Sequence, residues 1–248
     1  MFKYVGAIAN KEENLWVKWV HSVYLKQEDW WSYEASPQGS WYWKQVVAAK
    51  NQIQSLMDAQ QFTQGKYQIS LGYQLLCPSN SRVNWSNEVW GRFNTPKHSF
   101  IMWIAIEQRL RTRDRLHKFG VIDDSSCLLC HGQEESNAHL FFGCPFSKAC
   151  LVEIKNWMLW HTTTDSATKL VRWIAPSKVS KFRKKVMAAA LASLIYHVWK
   201  SRNNKVWNDK CDDVENVVNR VKETTKVRII VVWPKKVSKI DTTWFHTL

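Results

Sequence analysis

Cys127, Cys130, His139 and Cys144 stand in the order C-x2-C-x8-H-x4-C. Two thiolates at C-x2-C spacing can chelate one ion from a tight turn. A histidine and a third cysteine complete a Cys3His set, the closed tetrahedral arrangement of structural zinc. Catalytic zinc keeps an open water position, so a complete local set argues against catalysis. On an unbroken helix His139 and Cys144 would point about 140° apart. The chelate therefore needs a break, and Gly143-Cys144-Pro145 offers one. Ser136 can cap the short helix that presents His139. His131 and Cys150 are rival ligands: His131 follows Cys130 directly and would strain the ring, and Cys150 falls inside the next helix. Glu135 can accept the second imidazole N–H or stand solvated at the helix start. The alternative for the whole cluster is a set of unrelated thiols beside a surface imidazole.

The elements that must position these residues read as helices. LWVKWVHSVYL places Trp16, Trp19, Val20, Val23 and Tyr24 on one apolar face of a first helix over about 12–26. Ser40 caps a second over about 41–58. GKYQISLGYQLL reads as a short strand entering a short helix, and Cys77, Pro78 and the polar stretch after them break the chain. Ser86 caps a short helix carrying Val89 and Trp90. Thr95-Pro96 opens another that buries Phe100, Trp103, Ile104 and Leu110. Thr112 caps a third, which Gly120 closes. After the cysteines, SKACLVEIKNWMLW is amphipathic and HTTTDSATK is a polar linker. Residues 178–207 and 212–232 read as two long basic helices.

Composition bounds the function. Eight Gly and six Pro in 248 residues are too few for the frequent turns of an all-β fold. The longest mostly apolar run, Val186 to Trp199, is 14 residues, shorter than the roughly 20 of a spanning helix. The first residues contain no secretory apolar stretch, so the expected setting is intracellular and the six Cys are expected as thiols or metal ligands. Residues 151–248 carry 19 basic and 8 acidic side chains, +11 of a total +14. That excess fits a polyanionic partner such as RNA or DNA, the alternative being solvated helix faces. The densest group is Lys181, Arg183, Lys184 and Lys185. Its cations oppose the dipole of the helix they begin unless an anion is near. Arg109, Arg111, Arg113, Arg115, Lys118 and Lys148 surround the cysteines, with pairing to Asp114 as the bland reading of RLRTRDR. Three thiolates with Zn2+ carry −1, so phosphate affinity must come from bases like these. The 16 Trp read as core first, with nucleobase stacking as the alternative. KFRKK and PKK have the composition of nuclear import signals. No phosphate-binding glycine loop and no nucleophile elbow occurs.

W-x-x-F-x-T-P-K-H-S-F (90–100), R-L-x-T-x-D-R-L (109–116), C-x-x-C and H-L-F-F-x-C (139–144) closely resemble the zinc-binding region C-terminal to the reverse transcriptase of plant LINE-type retrotransposons. Weaker similarity extends to LWVKWVHSVYLK and SWYWKQ upstream and YHVWKSRNNKVW downstream. The resemblance implies Cys127, Cys130, His139 and Cys144 as zinc ligands and a role in handling RNA or DNA. The sequence departs from the parent enzyme in lacking a Tyr-x-Asp-Asp or Phe-x-Asp-Asp motif and a ribonuclease H carboxylate set.

These readings give a mainly α fold with a small Cys3His zinc knob and room for a minor β-hairpin. The expected segments are a Trp-rich helical one over 1–80, a zinc-binding one over 81–160 and a basic helical one over 161–248. The expected function is a non-catalytic zinc-binding module that binds nucleic acid, with neither a membrane nor a small-molecule substrate as partner; no protein partner is indicated. The alternative is a structural or protein-interaction remnant of a transposon, its zinc serving only the fold.

Overall fold

Asn14, Ser40, Ser180, Asp213 and Ser238 each accept a hydrogen bond from the backbone N–H three residues on, at 2.6 to 3.2 Å. Each satisfies a donor that a helix start leaves open, and each marks a helix boundary. The computed structural model describes residues 1–58, 62–63, 65, 67–77 and 83–248. They are mostly helical, and the chain divides into two compact units, Met1–Ser81 and Arg82–Leu248.

The first unit contains α1 (Phe2–Ala9), α2 (Leu15–Val20, continuing as one wide turn through Leu25), α3 (Trp41–Leu56) and α4 (Ile69–Leu76). Its core joins Phe2, Val5 and Ile8 to Val20, Leu25, Trp43, Val46 and Ile53. Trp30 and Tyr33 cover it from the loop before α3. Lys50 is buried and donates to the carbonyls of Trp31 and Tyr33, at 3.0 and 2.5 Å, which ties that loop to α3. The first apolar stripe is corrected. Val17, Val20 and Leu25 face inward, whereas Trp19 and Val23 are exposed; the wide turn over His21–Leu25 shifts the register by one residue from there on, which brings Leu25 and not Val23 to the core. Residues 67 and 68 are not a strand but an extended lead into α4. The break expected after Cys77 falls at 78–82, outside the described residues.

The second unit contains α5 (Ser86–Val89), α6 (Pro96–Ile106), α7 (Arg113–Lys118), a short turn of helix at His139–Gly143, α8 (Pro145–Trp157), α9 (Ala167–Ile174), α10 (Lys181–Asn208), α11 (Val214–Val231) and α12 (Lys239–Thr247). The 28-residue α10 runs through the middle and packs against α5, α6, α8, α9 and α11. Thus the expected long basic helix is a core helix with charged ends, and the alternative of a solvated helix does not apply to its middle. Val186 to Ile195 are all buried, and each fully buried Leu or Ile contributes about 1.5–3 kcal/mol relative to exposure. Small side chains at Ala188, Ala189, Ala190 and Ala192 admit neighbours on more than one side.

Other assignments change in this unit. Trp85, and not Ser86, occupies the cap position of α5. In α6 the inward residues are His98, Ser99, Met102, Ala105 and Ile106. Phe100 is half exposed, Trp103 and Ile104 are half-buried, and Leu110 is buried as expected. The linker after Trp160 ends early, in α9. The only strand-like pairing among the described residues is a bridge between Ser126 and Glu134. Of the 16 Trp, Trp30, Trp43 and Trp160 are buried and Trp19, Trp41, Trp90 and Trp207 are exposed. Core membership therefore does not account for every Trp.

Candidate metal centre

The bridge between Ser126 and Glu134, with Cys127 N–H donating to Gln133 O at 2.8 Å, closes a tight loop over 127–133. Cys127 begins that loop. The nearby backbone N–H groups of Leu129 and Cys130 favour its thiolate, and its carbonyl accepts from His131 N at 2.7 Å. His131 adopts φ +57°, a left-handed conformation that histidine tolerates better than most side chains. That conformation reverses the chain, and the His131 side chain is exposed.

The fourth ligand comes from the break after His139. Ser136 Oγ accepts from His139 N at 3.1 Å, as a cap should. The break itself differs from expectation: the left-handed residue is Phe142, at φ +86°, and Gly143 follows it. A Cβ on Gly143 would stand 3.0 Å from the Ala138 carbonyl oxygen, so that position needs glycine for close approach and not for its dihedral. Phe142 is held in this strained conformation by burial and by donating to Ser147 Oγ at 3.0 Å. Cys144 then takes the N-cap position of α8 with Pro145 in the first helical position, and the nearby N–H groups of Phe146 and Ser147 favour its thiolate.

The result is a cluster in which Cys127 Sγ, Cys130 Sγ, Cys144 Sγ and one His139 nitrogen all lie within 4.8 Å of one another. Cys127 and Cys144 are 4.0 Å apart, and Cys130 Sγ is 3.3 Å from His139 Nε2. Sulfurs at the vertices of a zinc tetrahedron are about 3.8 Å apart. The 4.0 Å separation is far beyond a disulfide bond, so these are thiols at metal-ligand spacing. His139 Nδ1 faces Gln133 Oε1 at 3.1 Å; with Gln133 as acceptor, Nδ1 carries the proton and Nε2 offers its lone pair. Burial lowers the His139 pKa, with the Glu135 carboxylate opposing, which favours the neutral ligand form. A hydrogen bond from Cys127 lowers the Cys144 pKa and raises that of Cys127, so thiolate character concentrates at the α8 N-terminus.

Residues 67–150 match the family model described as zinc-binding in reverse transcriptase. All four clustered side chains lie inside this matched segment, which covers about a third of the chain. No curated protein and no solved structure matches the chain.

Neither rival ligand joins the cluster. Cys150 is buried one turn into α8, where burial pushes its thiol up to about 12. Glu135 is a further correction, because it neither bonds His139 nor stands solvated. It is fully buried and takes three hydrogen bonds from the Arg202 guanidinium, at 2.7 to 3.1 Å. It also accepts from Arg113 N at 3.0 Å, supplying the side-chain cap that Thr112 does not give α7. Arg202, from α10, thereby fastens the cysteine loop to the central helix. Sequence reading missed this pair, though a signal existed: Leu191, Leu194, Val198 and Arg202 form one helical row. A cation in an otherwise apolar row calls for a carboxylate.

The surrounding bases divide. Arg113 pairs with Asp124 at 3.1 Å and Arg115 donates to Gln108 O, while Asp114 bonds Thr112 and the Arg115 N–H, so the alternative of a guanidinium pairing with Asp114 does not form. Lys148 pairs with Asp165 at 3.3 Å. Arg109, Arg111 and Lys118 are exposed. At the start of α10, Arg183 turns to Asp241 at 2.9 Å and to the Trp244 ring at 4.8 Å, away from Lys181 and Lys185. Asp241 is the anion that offsets these cations at a helix N-terminus.

Proposed function

We propose that the chain is a non-catalytic zinc-binding module derived from a plant LINE-type retrotransposon reverse transcriptase, and that it binds RNA or DNA in an intracellular, nuclear setting. The observation that carries the zinc reading is the Cys3His cluster at ligand spacing within the matched segment. Cys127, Cys130, His139 and Cys144 would hold the ion, which neutralises thiolate charge and cross-links the loop to α8. Nucleic-acid binding is supported by the +11 of residues 151–248 and by the exposed Lys181 and Lys185. The −1 that a zinc site with three thiolates would carry supports a binding surface away from the metal.

The remnant reading draws on a separate observation. Arg183, Arg202, Lys155, Lys205 and Arg220 all pair with carboxylates, so five of the C-terminal bases are engaged within the chain, although only Glu135, outside residues 151–248, lowers the net +11. Metal analysis of the purified chain and of Cys130→Ser, with titration against single- and double-stranded RNA and DNA at two salt concentrations, separates the readings. The proposal expects about one zinc per chain, loss of zinc in Cys130→Ser and salt-dependent binding. Full zinc in the variant overturns the ligand set, and absence of binding favours the remnant.

A further inference from the structure

A groove of about 360 Å3 lies between α5 and the start of α10. One wall is Glu88, Trp90, Phe93 and Asn94; the other is Lys181 with Lys184 and Lys185, three and four residues on and so on the same helix face. The two walls differ in chemistry.

On the α10 wall, Lys181 and Lys185 are exposed, and the Lys185 ammonium lies 5.8 Å from the centre of the Phe93 ring. Lys184 is tied to the Ala175 carbonyl at 2.6 Å. Arg183, the fourth cation of the sequence cluster, faces away from the groove toward Asp241. The groove therefore holds three ammonium groups beside the positive end of a 28-residue helix.

On the opposite wall, Trp90 is 52% exposed and meets Trp103 at 6.0 Å between ring centres, which supports the indole while leaving much of it to solvent. Asn94 is 3% exposed and donates both Nδ2 protons, to the carbonyls of Glu88 and Val89 at 2.8 Å each. Those bonds fix the amide orientation, so Oδ1 is an acceptor, and it is buried without a partner. Glu88 Oε2, in the same wall, is also buried without a partner. Two acceptors, an exposed indole and a facing set of ammonium groups match the parts of a nucleotide. An aromatic side chain stacks a base, the acceptors take its ring and exocyclic N–H groups, and the lysines take phosphate oxygens.

We infer that this groove binds one nucleotide of a single-stranded nucleic acid, its base on Trp90 with an N–H-rich edge toward Glu88 and Asn94 and its phosphates at Lys181, Lys184 and Lys185. Guanine, with an imino and an amino donor on adjacent atoms, fits two acceptors best. The inference rests on the nucleic-acid reading above and goes beyond it by fixing the strand type, the base and the pocket. It also removes Arg183 from the contact set.

The test uses the zinc-loaded full chain and fluorescence anisotropy with labelled eight-residue oligomers of U alternating with G, A or C, and their deoxy counterparts with T in place of U. Trp90→Ala should weaken binding about tenfold or more for every oligomer. The double variant Lys181→Gln, Lys185→Gln should lower the salt slope by about 1.4, the value for two lost contacts to a single strand. Glu88→Gln should abolish the preference for the G-containing strand while keeping affinity for the others. The pattern in either sugar series supports the groove. If Trp90→Ala disturbs zinc content or helicity, Trp90→Phe, which keeps a stacking face, and the lysine pair decide. Wild-type affinity and slope in the lysine variant, with wild-type binding in the folded Trp90 variant, overturn the groove but leave nucleic-acid binding standing. No binding of any oligomer by the wild-type chain overturns both.

Discussion

Arg202 and Glu135 illustrate how one buried pair can set the position of a metal loop. Both are at most 5% exposed at the side chain, and the carboxylate also caps α7. Removing one partner leaves a buried charge uncompensated, so Arg202→Ala or Glu135→Ala should destabilise the second unit by about 3–5 kcal/mol in denaturant unfolding. Replacing both by apolar residues of similar volume, Arg202→Met with Glu135→Leu, should cost much less, although α7 loses its cap. Equal losses in the single and double variants would assign the effect to packing. Gln133 acts on the cluster more locally, by orienting His139 through Nδ1. Gln133→Ala should keep all four ligands yet weaken zinc about 10- to 100-fold in chelator competition. Unchanged affinity would mean that burial alone fixes the imidazole.

Among the elements, α10 and α12 depend on each other. Phe245 of α12 meets Phe182 of α10 at 6.1 Å and Trp233 at 5.2 Å between ring centres. Asp241 accepts from Ser180, the α10 cap, and from Arg183, both at 2.9 Å. The last helix thereby closes the N-terminal end of the central one. Phe245→Ala, which empties a buried aromatic site, should cost about 3–5 kcal/mol, and hydrogen exchange should quicken in the first turns of α10 before its middle. Loss of protection confined to α12 would show that the two helices fold independently. The extent of α10 was legible because Lys181 to Asn208 contain no breaker. α9 and α12 were not, since eight or nine residues seldom form a helix without a neighbour to bury one face.

For the second unit as a whole, acid is the revealing condition. His98 and His197 lie 5.7 Å apart between α6 and α10, both buried. His98 is held down to about 3, chiefly by burial and then by His197 and Lys97. His197 is held down to about 4, chiefly by burial and then by Lys200, Arg220 and Lys97, with Asp212 opposing. Both are neutral when folded but protonate near 6.5 when unfolded, so below that pH the unfolded chain binds more protons. Stability should therefore be fully present above about pH 6.5 and fall as the pH drops toward 4, by up to about 1.4 kcal/mol per pH unit for each histidine. Metal ligands that protonate add a loss of the same sign. The His98→Phe variant, whose ring can still lie against Tyr196, isolates the pair: its stability should fall with about one histidine's slope less than wild type between pH 6 and 4. An unchanged slope would locate the acid sensitivity in the metal site alone.

The sequence by itself determined whatever depends on neighbours along the chain. The ligand spacing, the Ser40 and Ser136 caps, Thr95-Pro96, and Gly120 at φ +66° were all legible, because each involves contacts within about one helical turn. Even the metal cluster is local, gathered within 18 residues of chain. Only the tertiary structure decided which faces are buried. FIMWIAI in α6 is apolar on every side, so no periodicity could show that Met102 and Ala105 point inward and Phe100 outward. Likewise, a count of charges could not separate Arg202, buried against Glu135, and Arg183, held by Asp241, from Lys181 and Lys185, which face solvent. The partners lie 67 and 58 residues away, and what a charge does depends on what the fold brings next to it.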